Sequence, residues 1–200
     1  MTAPLIRLTF AMVAALTLAA CTVFPEKPAH KIFQLPVPAI KEGADESFDT
    51  ALRISAPMAV APIDSTRILV KPDSHEIRAY QGARWGNRAP VIVGNHLVEA
   101  FRQDGRLVTV VSDTSPARSD LTIVGDLTRF QAEYQNGSPV VHLQLNLQLI
   151  DERTRETLSN KRFNVRSQAS DESVESVVEA FGQASSELAR NVIDWTMQEL

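Results

Sequence analysis

The residues between Val141 and Leu149 constrain the fold more than any other part of the chain. Every second residue in this run is valine or leucine, and the residues between them are polar. Alternate side chains of an extended chain point to opposite faces, so all of the apolar side chains reach one side. Asn136-Gly137 precedes the run, and both residues tolerate the positive φ of a tight hairpin. The sequence therefore predicts a long antiparallel strand with one face in a core.

Other β-rich segments supply partners for this strand. The predicted strands cover residues 32–35, 52–54, 67–70, 76–80, 107–111, 121–134 and 161–168. A turn is expected at Gln81-Gly82. The segment 107–111 is almost continuously apolar, so we expect it in the centre of the sheet.

Two segments have helical periodicity. Apolar residues recur every three or four positions in residues 91–101 and again, over a greater length, in residues 171–199. The predicted end signals are Asn87, Pro90 and Gly105 for the first helix and Ser170 or Asp171 for the second. The sequence thus predicts an α+β fold: a mostly antiparallel sheet with two helices packed on one face, including a long C-terminal helix.

The first residues have the three parts of a bacterial secretory signal. A charge at Arg7 precedes an apolar core at residues 8–18 that is too short to span a bilayer comfortably. Leu18-Ala19-Ala20-Cys21 resembles a lipobox, and Cys21 is the only cysteine of the chain. We predict that residues 1–20 are removed and that Cys21 carries acyl chains such as palmitate. The alternative is an ordinary signal cut after Ala20, with Cys21 an incidental thiol.

The residues after Cys21 suit a tether. Residues 21–31 contain Pro25 and Pro28 and few apolar side chains, a composition that cannot form a core. Residues 32–200 are long enough for a single domain. Thr22 stands where enterobacterial lipoproteins of the inner membrane tend to have Asp. We therefore expect the periplasmic face of the outer membrane, with the inner membrane as the alternative.

Charge and motifs exclude several classes of function. The chain has a formal net charge of −4 and no basic run, which argues against nucleic-acid binding. Its four histidines lack the spacing of a metal site, and there is no nucleophile elbow or phosphate loop. We predict no catalytic residue, no metal and no cofactor.

One predicted surface favours a partner. The polar residues of the alternating strand are uncharged: His142, Gln144, Asn146 and Gln148. Such side chains suit a surface covered by another protein, because amides can be matched there while buried charge is costly. An ordinary solvent-facing sheet surface is the alternative.

Several segments in the order found here resemble a known family. The resemblance rests on Leu52-Arg53-Ile54, Arg67-Ile68, residues 76–80 followed by Ala83-Arg84-Trp85, Pro90, and Gly105-Arg106-Leu107. Behind a lipobox, this order is similar to the ABC-type transport auxiliary lipoproteins, the PqiC-like group that accompanies MCE-domain lipid transporters.

The resemblance implies a non-enzymatic role in the periplasm. The protein would dock an MCE conduit at the outer membrane. From the tether, the resemblance and the uncharged face together, we expect a homo-oligomer that matches the ring symmetry of its partner. Tyr80, Arg84 and Trp85 would form a shared contact or a structural corner. A lipoprotein chaperone or assembly factor for an outer-membrane protein is the alternative.

Overall fold

The computed structural model describes residues 29–43 and 47–200, so the predicted signal peptide and Cys21 lie outside the described residues. In that part of the chain, eight strands form one sheet. They are β1 (Lys31–Phe33), β2 (Phe48–Ile54), β3 (Arg67–Lys71), β4 (Arg78–Trp85), β5 (Leu107–Ser112), β6 (Leu121–Gln135), β7 (Ser138–Asp151) and β8 (Thr157–Gln168). The helices are α1 (Ala89–Asp104) and α2 (Val174–Gln198). The predicted α+β fold is confirmed.

The alternating segment is β7, the middle strand of a long antiparallel meander with β6 and β8. Asn136 and Gly137 have φ of 52° and 81° and form the predicted hairpin turn, which pairs Gln135 with Ser138. Val141 and the four leucines that alternate after it are at most 3% exposed. Their common face packs against the core that the helices cover.

The sheet branches at β6. One edge of β6 pairs with β7 along its whole length. The other edge is shared: residues 121–123 pair with β2, and Ala132 and Glu133 pair with β3. β5 lies beyond β2, while β4 and then β1 lie beyond β3. The sheet is mixed, because β6 runs parallel to β2 and β3, as β2 does to β5 and β1 to β4.

Two predictions about strands were wrong. β5 is not central, since it pairs only with β2 among the described strands and leaves Val108 66% exposed. Only two of its apolar side chains, Leu107 and Val110, are buried in the core. Gln81-Gly82 is not a turn but lies inside β4, where Gly82 has φ of 68° and the register with β3 shifts. A glycine with positive φ accommodates a β-bulge as readily as a turn.

The helix starts differ from the predicted caps by one to three residues. Arg88 caps α1, and the Asn87 side chain accepts a hydrogen bond from the Arg88 N–H. Ser173 caps α2 by accepting from the Ser176 N–H at 3.2 Å. Gly105, with φ of 77°, ends α1 as predicted.

The segment 34–43, here called the strap, runs along α2 after β1. Gly182 lets it approach closely, because a Cβ at that position would lie 2.6 Å from Pro36 Cγ. The Ala39 N–H donates to Ser186 Oγ at 3.2 Å, and Arg190 donates to the Ala39 carbonyl at 3.1 Å. The strap thus joins the N-terminal strand to the helical layer.

Candidate partner interface on the open face of the sheet

The helices pack on the leucine face of the meander, which leaves the opposite face of β6, β7 and β8 polar. We call this the open face. Its polar side chains include Asp126, Arg129, Gln131 and Glu133 from β6, His142, Gln144, Asn146 and Gln148 from β7, and Asn160, Arg162, Asn164 and Arg166 from β8. In the strand register, Asn146 lies between the charged residues Asp126 and Arg162, whereas Gln148 lies between Val124 and Asn160.

Glu133 is the centre of a hydrogen-bond network on this face. Its Oε1 accepts from Gln131 Nε2 at 2.9 Å and from Arg129 Nη1 at 3.2 Å, and His142 Nδ1 lies 3.2 Å away. Burial disfavours the charged carboxyl, but the Gln131 amide, His142 and Arg129 outweigh it and hold the pKa of Glu133 below its usual value. The network therefore fixes a partly buried negative charge on the open face.

His142 is not available to a partner in this structure. It is 2% exposed, and its Nε2 lies 2.9 Å from Asn164 Oδ1 of the neighbouring strand. The histidine therefore connects β6 to β8 across β7 instead of presenting an uncharged surface.

The amides of β7 differ in what they offer a partner. Gln144 Oε1 accepts from Arg129 Nε at 3.0 Å, and Asn146 Oδ1 accepts from Arg162 Nε at 2.9 Å. Gln148 is exposed. Of the four predicted residues, Gln148 is thus the one whose side chain is most accessible.

The predicted contact of Tyr80, Arg84 and Trp85 is divided between the core and the surface. Trp85 is 1% exposed and packs on Phe181 and Phe130, with ring centroids 5.2 and 5.8 Å away. Tyr80 is half-buried, and burial raises its pKa to about 12. Arg84 is exposed on the same side of the sheet as the open face. The sequence allowed either a shared contact or a structural corner for these residues, and Trp85 lies in the core as a structural residue.

The described residues contain no cluster of three or more His, Cys, Asp or Glu side chains that could hold a metal ion. His96 is buried on α1, and burial lowers its pKa to about 4, so it is neutral at physiological pH. None of the described helices has the length and apolar character needed to cross a membrane.

Comparison with known families decides what kind of protein this is. Residues 33–193 match a family described as the ABC-type transport auxiliary lipoprotein component. The chain belongs to this family. The match covers the whole sheet except the first residues of β1, and it includes both helices up to Ile193.

Solved structures agree with this assignment. Protein XCC0632 from Xanthomonas campestris is 27% identical, with a TM-score of 0.78 over 84% of this chain and 95% of its own. An uncharacterized protein, 14% identical, has a TM-score of 0.65 over 82% of this chain and 96% of its own. The hypothetical protein CT253 from Chlamydia trachomatis, 5% identical, has a TM-score of 0.51 over 74% of this chain and 96% of its own. The last two show a shared fold alone. No curated protein matches the chain.

Sequence reasoning missed Arg129, Glu133, Arg162 and Asn164 as members of the open face. The β6 residues could have been found from the sequence. The two-residue turn at Asn136-Gly137 fixes the register of the hairpin, and therefore which β6 residue pairs with each β7 residue. Continuing that register from Gln135 and Ser138 places Gln131 opposite His142 and Arg129 opposite Gln144.

Proposed function

We propose that the protein is a non-enzymatic, lipid-anchored periplasmic component of an ABC/MCE-type lipid transport system. In this role it docks the transport conduit at the outer membrane. The family match over residues 33–193 carries the proposal. Residues 52–111 resemble the lipoproteins that accompany MCE-domain transporters, and we propose an MCE protein as the partner on the basis of this resemblance.

The N-terminal part of the chain supports a position at the membrane. β1 starts at Lys31, about ten residues after Cys21, so an acylated Cys21 would hold β1 within roughly 35 Å of the bilayer. Two or three acyl chains give a stable anchor, since each buried methylene contributes about 0.8 kcal/mol. Lys31 also pairs with Glu175 of α2 at 2.9 Å, which connects the end of the tether to the domain.

The open face is the proposed contact with the MCE protein. It combines fixed charges, such as Glu133 and Arg129, with the exposed amide of Gln148. Polar groups that are already oriented by their neighbours favour a specific partner at little cost in ordering. The protein would act as a homo-oligomer, so that each contact repeats around the ring of its partner.

Placing charge at Gln148 tests this contact. We expect Gln148→Lys to reduce capture of the MCE protein from detergent-solubilised membranes about tenfold or more, because each subunit of a ring would bury an unmatched charge. Gln198→Lys, at the exposed end of α2, is the matched control and should leave capture unchanged. Quantitative mass spectrometry of the captured proteins gives the readout.

Two results would contradict the proposal. Capture that is equal for wild type and Gln148→Lys would remove the open face from the contact. Capture of outer-membrane proteins without any MCE protein would favour the chaperone or assembly role instead.

A further inference from the structure

Two arginines stand opposite each other in the sheet next to the point where the tether enters. Arg67 of β3 and Arg84 of β4 are directly paired in the antiparallel ladder, and both are exposed. Arg84 is in turn paired with Ile32 of β1, which is 60% exposed. The three side chains therefore form one row on the sheet side away from the helices. We call it the arginine row.

The two positive charges of the arginine row are unfavourable when no anion is bound to the protein. Like charges directly across an antiparallel pair repel each other. Among the described residues, neither Arg67 nor Arg84 has an ion-pair partner, and the carboxylate of Asp64, three residues before Arg67 in the sequence, is bound by Arg88 at 3.2 Å. An anion placed between the two guanidinium groups would relieve this repulsion.

We propose that Arg67 and Arg84 bind the anionic headgroups of phospholipids in the membrane to which the protein is anchored. The inference rests on the proposed lipid anchor. Guanidinium groups match phosphate oxygens with two parallel hydrogen bonds. The apolar side chain of Ile32 extends the row toward the tether and suits the boundary between headgroups and acyl chains.

The distribution of charge supports this orientation. Glu179, Glu187 and Asp194 are exposed on α2, on the other side of the sheet from the arginine row. An anionic bilayer attracts the row and repels the helical side, although the whole chain has a net charge of −4. The tether also keeps the row close to the membrane, because it ends at Lys31 and Ile32 is the next residue.

A dye at position 32 can report docking. Cys21 is the only cysteine of the sequence, so lipidation leaves an introduced cysteine as the single free thiol. The lipidated protein with Ile32→Cys is labelled with a fluorophore and placed in vesicles of phosphatidylcholine, with or without phosphatidylglycerol, that contain a quencher on the acyl chains. Val108→Cys, on the exposed edge strand β5, provides the reference position.

We expect strong quenching at position 32 only with phosphatidylglycerol, and weak quenching at position 108 in both lipids. Arg67→Ala with Arg84→Ala should lower the docking equilibrium about thirtyfold, since each basic residue near an anionic surface contributes about 1 kcal/mol. The control pair Arg118→Ala with Arg153→Ala removes the same charge from exposed positions elsewhere and should retain docking.

Quenching at position 32 that is independent of phosphatidylglycerol, or equal in the arginine variant, would overturn the inference. So would an equal loss in the control pair, which would mean that net charge alone matters. Light scattering of the arginine variant in detergent adds a further test: loss of an oligomer would assign the row to a contact between copies.

The lipid-binding inference and the proposed transport function can fail separately, because the two experiments measure different interactions. Docking on phosphatidylglycerol without capture of an MCE protein supports the arginine row and contradicts the transport role. Capture of an MCE protein without docking on phosphatidylglycerol supports the transport role and contradicts lipid binding by the arginine row. A second labelled thiol, found by mass spectrometry, would show that Cys21 carries no acyl chain.

Discussion

At the scale of residues, Glu133 shows how the open face differs from an ordinary solvated surface. Its side chain is only 16% exposed and accepts hydrogen bonds from Arg129 and Gln131, while His142 Nδ1 lies 3.2 Å away. A buried charge is tolerated when hydrogen bonds replace the lost water, and its partners then depend on that charge. Arg129 and His142 are therefore positioned by Glu133 as much as by their own strands.

Replacing Glu133 with Gln should destabilise the protein in a way that depends on pH. At neutral pH we expect a loss of about 2 kcal/mol in the free energy of unfolding, since hydrogen bonds to charged groups are the stronger ones. The pKa of Glu133 is lowered from 4.5, so its contribution is present above that value and is lost as the pH falls through the lower folded pKa.

Urea denaturation at several pH values checks this prediction. The difference between wild type and Glu133→Gln should shrink below about pH 4.5. Glu187→Gln, an exposed change on α2, is the control and should have little effect at any pH. A difference that stays constant down to pH 3 would mean that the ionised carboxyl is not the source of the stability.

At the scale of elements, Gly125 allows β6 and β7 to approach each other. It pairs with Leu147, and a Cβ built at this position would lie 1.9 Å from the Asn146 carbonyl oxygen. The register of the two strands shifts shortly afterwards, between Leu127 and Arg129. A glycine inside a strand often marks such a close backbone approach.

Gly125→Ala should therefore cost about 3 kcal/mol of stability, because the methyl group must displace backbone and not a flexible side chain. Gly86→Ala is the matched control: its Cβ would make only ordinary contacts, at 3.6 Å from Ile32 and the Phe33 carbonyl. Thermal or urea unfolding measures both. If the two variants have equal stability, the strands are able to separate at Gly125 without loss.

The elements were predictable where one physical signal dominates. β7 followed from strict alternation, and the β6–β7 turn followed from two residues that tolerate positive φ. β5 was misplaced because a short apolar run has no feature that separates an edge strand under a helix from a central strand. The sequence around Gly82 carried a real conformational signal, but a bulge and a turn use the same backbone angles.

At the scale of the whole molecule, the branched sheet lay beyond sequence reasoning. β6 accepts β2 and β3 on one edge, and these parallel pairings join segments that are far apart in the chain. Local periodicity shows that a strand exists but not which partner it takes. The aromatic contact of Trp85, Phe130 and Phe181 has the same character, because it joins β4, β6 and α2. By contrast, the resemblance carried by several segments in order identified the family correctly.

The proposed location of the whole molecule rests on one residue outside the described part of the chain, Cys21. Cys21→Ser should abolish acyl labelling, prevent processing by the lipoprotein signal peptidase, and thereby change how the chain partitions between membrane and soluble fractions. Metabolic labelling with a fatty-acid analogue and the size of the chain on a gel check this. Unchanged labelling, or normal cleavage of the variant, would contradict the lipobox prediction.

The way β1 enters the sheet has a mechanical consequence. β1 lies parallel to β4 at its end, so the backbone pairs of Lys31, Ile32 and Phe33 lie along the path by which the chain reaches the tether. In a protein anchored through an acylated Cys21, a force from the bilayer would act first on these pairs and on the Lys31–Glu175 ion pair, before it reached the core. Pulling along the strand axis loads the pairs together as a shear joint, whereas pulling across it would open them one by one. A protein anchored at one end and bound to a large assembly at the other would thus carry tension through β1, the shortest of the described strands.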